Sequence, residues 1–252
     1  MPAPPPGRPR APTRARPPTW PAPPRRPGIG GVFVTGTGTG VGKTVVAAVI
    51  ARGLVRQGQR VGVFKPALTG LEEPGEPDHL LLRRAAASAQ APEEIAPYRF
   101  GPPLSPHLAA ELAGERIEPA ELRAAAERAG AGAEALVCEG VGGFLVPLTP
   151  GYLVRDLARD LGLGVVVAAS PELGTINHTL LTLEAVRTVG LEAVCVVLTP
   201  WPERPEPIHE SNRETISALG AVEVATLERI DLSEPEGWPQ VGGAVLGDGW
   251  NP

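Results

Sequence analysis

The sequence predicts an α/β fold, a mostly parallel sheet with helices on both faces. Three observations predict it. Short apolar runs at Val32–Thr35, Arg60–Lys65, Ala135–Glu139, Gly164–Ala169 and Ala193–Leu198 alternate with stretches of helical periodicity. The runs are continuously apolar rather than alternating, as strands buried on both faces are. The residues that carry chemistry fall where these runs end, the edge at which such sheets bind ligands.

The helices follow in order. Lys43–Gln57 repeats apolar residues at Val45, Val46, Val49, Ile50 and Leu54. Asp78–Ala87 is helical, a further helix starts near Ser105 or Pro106, and another spans Pro119–Arg128 with Pro119 suited to a first turn. Leu153–Leu161, Ile176–Val189 and Ser211–Leu219 complete the set, with Gly220 placed to end the last.

The 252 residues suffice for one sizeable α/β domain, expected over 29–232. Residues 1–28 are rich in Pro and Arg and carry no acid, so disorder is expected there. Residues 233–252 are rich in Gly, Pro and Trp and predict an irregular tail. A net charge of -5 gives no reason to expect a nucleic-acid partner. No apolar run is long enough for a membrane span, and the N-terminus lacks the apolar stretch of a signal peptide. Cys138 and Cys195 each sit in an apolar run and read as buried small hydrophobes, which fits a reducing cytoplasm. His79 and His209 read as solvated surface histidines.

Four motifs carry the chemistry. Gly36-Thr37-Gly38-Thr39-Gly40-Val41-Gly42-Lys43-Thr44 lies between a strand and a helix, the setting of a phosphate-binding P-loop. Its glycines let the backbone wrap phosphate oxygens, and the helix start offers open N–H groups to an anion. Lys43 is expected to reach the β- and γ-phosphates and Thr44 to hold Mg²⁺, so a nucleoside triphosphate is the expected ligand. Phe64-Lys65-Pro66-Ala67-Leu68-Thr69-Gly70 brings a lysine out of a buried strand, where it can stabilise a transferring phosphoryl group. Val137-Cys138-Glu139-Gly140-Val141-Gly142-Gly143 ends a strand on a carboxylate able to face Thr44 across Mg²⁺. Gly174-Thr175-Ile176-Asn177-His178 turns into a helix whose open N–H groups suit a carboxylate. Blander readings compete: an ordinary solvated lysine, a strand-ending acid, and helix caps at Ser105 and Thr175.

Taken together, these motifs, with Asp78 and Ser105-Pro106-His107 between them, resemble the dethiobiotin synthetase family over roughly Gly31 to Gly220. The resemblance implies a P-loop NTPase-type domain that joins 7,8-diaminononanoate and CO₂ at the expense of ATP, or another nucleoside triphosphate, with Mg²⁺ as cofactor. It implies that Lys43, Lys65 and Thr39 serve catalysis and that Gly40, Val41, Gly42, Lys43, Thr44 and Val45 bind nucleotide. Thr44, Asp78 and Glu139 hold the metal in this reading. Thr69, Ser105 and Gly142 line the substrate, and Thr175, Ile176 and Asn177 take its distal carboxylate, in a homodimer with the site near the interface. The chain departs from the family at Gly38, where many members are acidic, at Gly40, where some also are, and at Thr199-Pro200-Trp201, where many carry an adenine-reading Asn-Asp pair. The alternative is a chromosome- or plasmid-partitioning ATPase of the same broad fold. Those proteins carry an additional lysine early in the loop, where this chain has Thr37-Gly38.

Overall fold

The computed structural model describes residues 30–239. The expected disordered segment 1–28 and the tail beyond residue 239 lie outside the described residues.

The elements run β1 (Gly31–Gly36), α1 (Lys43–Arg56), β2 (Val61–Phe64), β3 (Ala67–Leu68), α2 (Asp78–Ala85), α3 (Pro92–Ile95) and β4 (Tyr98–Arg99). They continue with α4 (Pro106–Ala113), α5 (Pro119–Gly130), β5 (Ala135–Glu139), β6 (Pro147–Thr149), β7 (Tyr152–Leu153) and α6 (Val154–Leu161). The last part comprises β8 (Gly164–Ala169), α7 (Thr175–Thr188), β9 (Ala193–Trp201), α8 (Pro207–Gly220) and β10 (Glu223–Glu228). A single 3₁₀ turn, Pro235–Gly237, follows.

Six strands form one parallel sheet in the order β10-β9-β8-β1-β5-β2. Successive side chains of a strand point to opposite faces, and here both faces are apolar. Val32, Val34, Val61, Val63, Ala135, Val137, Val166 and Val197 pack with α1 and α2 on one side. Phe33, Phe64, Leu136, Cys138, Val165, Val167 and Leu198 pack with α4 to α8 on the other. Each Val, Leu or Phe side chain fully buried this way contributes about 1.5–3 kcal/mol of hydrophobic stabilisation. The fold class expected from the sequence is the one observed. Cys138 and Cys195 are both free and buried, and they face opposite sides of the sheet.

Several expectations are corrected. α8 starts a turn earlier than expected, with Pro207 in its first turn, and Gly220 is its last residue; Ala221 takes the left-handed conformation that ends it. Asp78 opens α2, as the expected helix had it, and α2 ends at Ala85. His79 and His209 are 6% and 7% exposed, not solvated. His209 stacks edge-on against Trp201 with ring centroids 6.0 Å apart, and its Nδ1 accepts a hydrogen bond from the Glu206 N–H. Burial and the Arg99 guanidinium push the His79 imidazole below its ordinary pKa. Trp238, within the segment expected to be irregular, is 3% exposed and belongs to the α1–α2 side of the core.

Candidate active site

The parallel register builds the site. β2 pairs with β5 so that Phe64 lies beside Cys138, and the next residues along, Lys65 and Glu139, leave the sheet side by side. β1 pairs with β5 at Val34 and Glu139, which places the turn after β1 on the other flank of the carboxylate. Three strand ends from distant parts of the sequence therefore meet at one carboxyl edge.

Gly42 caps α1 in the left-handed conformation at φ 84°, a region only glycine enters without strain. A Cβ there would also lie 2.7 Å from Thr199 Cγ2, so the loop rests directly on β9. The loop is held at its start by Thr37 N–H, which donates to the Ala168 carbonyl at 3.0 Å. Gly143, in the turn after β5, lies against Gly36 to Gly38, so the two glycine-rich segments back each other.

Lys65 Nζ is shared between two acids, 2.6 Å from Glu139 Oε1 and 2.8 Å from Asp78 Oδ2. Its side chain is 4% exposed and that of Glu139 1%. Thr44 Oγ1 donates to the same Glu139 Oε1 at 2.9 Å, and Lys43 Nζ donates to the Gly38 carbonyl at 2.8 Å. Burial disfavours the ammonium of Lys65, but Glu139 and Asp78 outweigh it and hold the pKa above the ordinary lysine value. Burial lowers that of Lys43. Burial raises the Glu139 carboxyl despite Lys65, whereas for Asp78 burial is outweighed by Lys65 and the carboxyl lies below its usual range. At neutral pH Lys65 is a cation and a donor, not a base.

A cavity of about 420 Å³ opens over this cluster. Of the residues singled out from sequence, Thr39, Gly40, Gly42, Lys43, Thr44, Val45, Lys65, Thr69, Asp78, Glu139 and Gly142 line it. Val41 does not; its side chain packs towards Gly36. Ser105, Thr175, Ile176 and Asn177 also lie outside this lining. Ser105 takes the N-cap position of α4 without a side-chain cap bond, and Thr175 is the first residue of α7, capped by Gly174. Thr175 is buried against Thr179, whereas Asn177 is exposed. Sequence reasoning missed three lining residues, Glu76, Leu81 and Leu232. Glu76 sits in a stretch of acids and prolines that offers no period, and Leu232 gives no local signal. A second cavity, of about 480 Å³, lies at the opposite edge among Val55, Ala86, Ala129 and Ala133. Its one charged side chain, Arg60, is paired with Glu134.

Among the described residues no group of three or more His, Cys, Asp and Glu is arranged to hold a metal. Mg²⁺ does not need one, because it takes one or two carboxylates and completes its shell with phosphate oxygens and water. Glu139 Oε2 is buried and has no hydrogen-bond partner, an orphan costly to leave unmet. With Thr44 and Asp78 beside it, this oxygen-only donor set fits that ion.

A strand-loop-helix phosphate cradle, a lysine and two carboxylates at the carboxyl edge of a parallel sheet define a P-loop nucleotide-binding enzyme. Residues 30–236 match the family described as "AAA domain". The chain is 44% identical over 190 residues to the ATP-dependent dethiobiotin synthetase BioD of Anaeromyxobacter dehalogenans (strain 2CP-1), covering 75% of this chain and 85% of that protein. It is 37% identical over 193 residues to the protein of the same name from Bacillus velezensis, covering 76% and 83%. Among solved structures, the signal recognition particle 54 kDa protein of Aeropyrum pernix K1 in complex with GDP shares the fold. The TM-score is 0.50 at 16% identity, over 88% of this chain and 46% of that one. The chain belongs to the ATP-dependent dethiobiotin synthetase family, a family of ligases.

Proposed function

We propose that the protein forms dethiobiotin from 7,8-diaminononanoate, CO₂ and a nucleoside triphosphate, with Mg²⁺. The observation that carries this reading is the Lys65 ammonium held between Asp78 and Glu139 at the mouth of the phosphate loop. The additional lysine of a partitioning ATPase lies early in the phosphate loop, where this chain has Thr37-Gly38, whereas the second lysine here comes from the end of β2.

The chemistry runs in three steps. One amine adds to CO₂, forming an N–C bond and losing a proton, to give a carbamate. A carbamate oxygen attacks the γ-phosphorus and the nucleoside diphosphate leaves, giving a carbamic–phosphoric anhydride. The second amine attacks the carbamoyl carbon, a proton is lost, phosphate leaves, and the cyclic urea closes. Nothing here requires a covalent enzyme intermediate, so the protein contributes positioning and charge neutralisation.

In this reading Lys43 and the loop N–H groups hold the phosphates. Lys65 donates to oxygens that gain negative charge as the phosphoryl group transfers, and Thr39 and Thr69 stand where the diamine and carbamate would lie. Thr44, Asp78 and Glu139 would hold Mg²⁺, which neutralises phosphate charge when bound. Thr175 to Asn177, at the start of the 14-residue α7, would take the distal carboxylate of a substrate bound mainly by a partner subunit. Thr199-Pro200 offers no side-chain amide or carboxylate to read a base edge, so weak discrimination among nucleotides is expected. The reading also places the protein in the cytoplasm, as one synthetase domain over 29–232.

The deciding experiment incubates the protein with the diamine, bicarbonate, Mg²⁺ and ATP, CTP or GTP in parallel and follows the ureido product by mass spectrometry. Product with at least one nucleotide supports the reading. Triphosphate hydrolysis without product overturns it. Co-expression of a Lys65 variant with an Asn177 variant tests the shared site: recovered activity in mixed dimers supports it, and its absence counts against a partner contribution.

A further inference from the structure

The cavity over Lys65 has walls from two distant parts of the chain. The segment leading into α2 supplies Glu76 and Asp78, and the segment after β10 supplies Leu232. Arg84, in the last turn of α2, bonds to both. Its Nη2 meets Glu76 Oε2 at 2.6 Å, and its Nη1 donates to the Leu232 carbonyl at 2.6 Å and to the Ser233 carbonyl at 3.4 Å. Among the described residues no other side chain hydrogen-bonds to both walls.

Beyond Leu232 the chain is a strap fastened elsewhere. Arg52 pairs with Glu236 at 2.7 Å, and Arg56 donates to the carbonyls of Pro235, Glu236 and Trp238. The Trp238 indole is buried in the core and donates to the Asp231 carbonyl at 2.7 Å. The strap is thus anchored to α1 at its far end. At the cavity end Arg84 ties it to Glu76, just ahead of α2, whose first residue is Asp78. A planar guanidinium can serve both walls at once, whereas a lysine ammonium is a single point. Arg84 also neutralises Glu76, a third carboxylate that would otherwise face a polyanionic ligand.

We propose that Arg84 is a positioning residue for the triphosphate: it sets the width of the cavity mouth and keeps Glu76 from repelling phosphate, without touching the reacting atoms. This rests on the reading of the cavity as the nucleotide site. The Arg84 and Glu76 side chains are 34% and 41% exposed, so the pair itself contributes little to folding. An effect on nucleotide binding is therefore separable from an effect on stability.

The test titrates a fluorescent N-methylanthraniloyl ADP, with Mg²⁺, into the wild type and into Arg84→Ala, Arg84→Lys and Arg84→Ala/Glu76→Gln. Arg84→Ala should raise Kd on the order of tenfold, as expected for the loss of charge-assisted hydrogen bonds. Turnover at saturating nucleotide and the KM for the diamine should change much less. Arg84→Lys should fall between, and removing the Glu76 charge should restore part of the affinity lost in Arg84→Ala. An unchanged Kd in Arg84→Ala, or losses of turnover and diamine KM equal to the loss in nucleotide affinity, would overturn the proposal. If the wild type itself fails to bind the probe, the nucleotide-site reading fails and this inference with it. Binding by wild type with no effect of Arg84→Ala sinks only the inference.

Discussion

Lys65 and Glu139 stand one residue beyond a register pair of adjacent parallel strands, and their side chains meet at 2.6 Å with almost no exposure to solvent. The pair is costly to break from one side only, because a buried charge left alone loses its compensation. Lys65→Met is expected to destabilise the protein by about 3–5 kcal/mol, less whatever Glu139 recovers by taking up a proton. Lys65→Met/Glu139→Gln should regain most of that loss. Chemical denaturation of the three proteins checks this, and a double variant no more stable than Lys65→Met would contradict it. Lys65→Gln should lower turnover on the order of 10²–10³-fold, the scale of losing one oxyanion donor, while nucleotide affinity is little changed.

Gly42→Ala meets two obstacles, a left-handed backbone at φ 84° and a contact of 2.7 Å with Thr199 Cγ2. A stability loss of about 1–3 kcal/mol is expected from the backbone strain alone, together with a severe loss of nucleotide binding. Adding Thr199→Gly removes the clash but not the strain, so recovery should be partial. Full recovery would show that the φ angle is unimportant at this position.

Thr44→Ala removes the donor to Glu139 Oε1 and one of the expected metal ligands. The Mg²⁺ concentration for half-maximal turnover should rise, on the order of 10- to 100-fold by analogy with other changes around metal sites. Mn²⁺ binding followed by electron paramagnetic resonance, in the presence of ADP, should weaken in parallel. Unaltered metal affinity would remove Thr44 from the coordination set.

Burial pushes the Cys195 thiol up to about 12 from an ordinary 9.0, and Cys138 well above that ordinary value. A raised folded-state pKa stabilises the fold fully below the unfolded pKa and is lost as pH rises towards the folded one. Stability should therefore decline between pH 9.0 and about 12, with Cys195 contributing up to about 4 kcal/mol of that decline. Cys195→Ala should flatten this part of the profile. Neither thiol should react with iodoacetamide at pH 8 before denaturant is added.

Much of this architecture is legible in the sequence because the central strands are buried on both faces and read as unbroken apolar runs. β10 escapes that rule: Glu223-Val-Ala-Thr-Leu-Glu228 is an edge strand with charged ends and little burial. The phosphate loop, Lys65 and Glu139 stand out because strand ends are punctuated by glycine or proline. Their spacing from Asp78 does not, since it depends on how α2 packs across α1. His79 and His209 are polar in composition but covered by neighbours distant in sequence. Trp238 and Arg56 meet only after the chain returns from β10 to α1. Proximity of that kind leaves no local period to read.

The central strand β1 has β5 and β8 as its neighbours, neither of them adjacent to it in the chain. During synthesis β1 and its phosphate loop emerge before the other described strands, yet their partners are not made until residues 135–139 and 164–169 have followed. Until then Val32, Phe33 and Val34 are an apolar segment with two open edges. Non-local pairing of this sort is slow and leaves nascent chains prone to association. Slowing translation before residue 169 is therefore expected to lengthen the exposure of this segment and lower soluble yield, whereas pauses after it should matter far less.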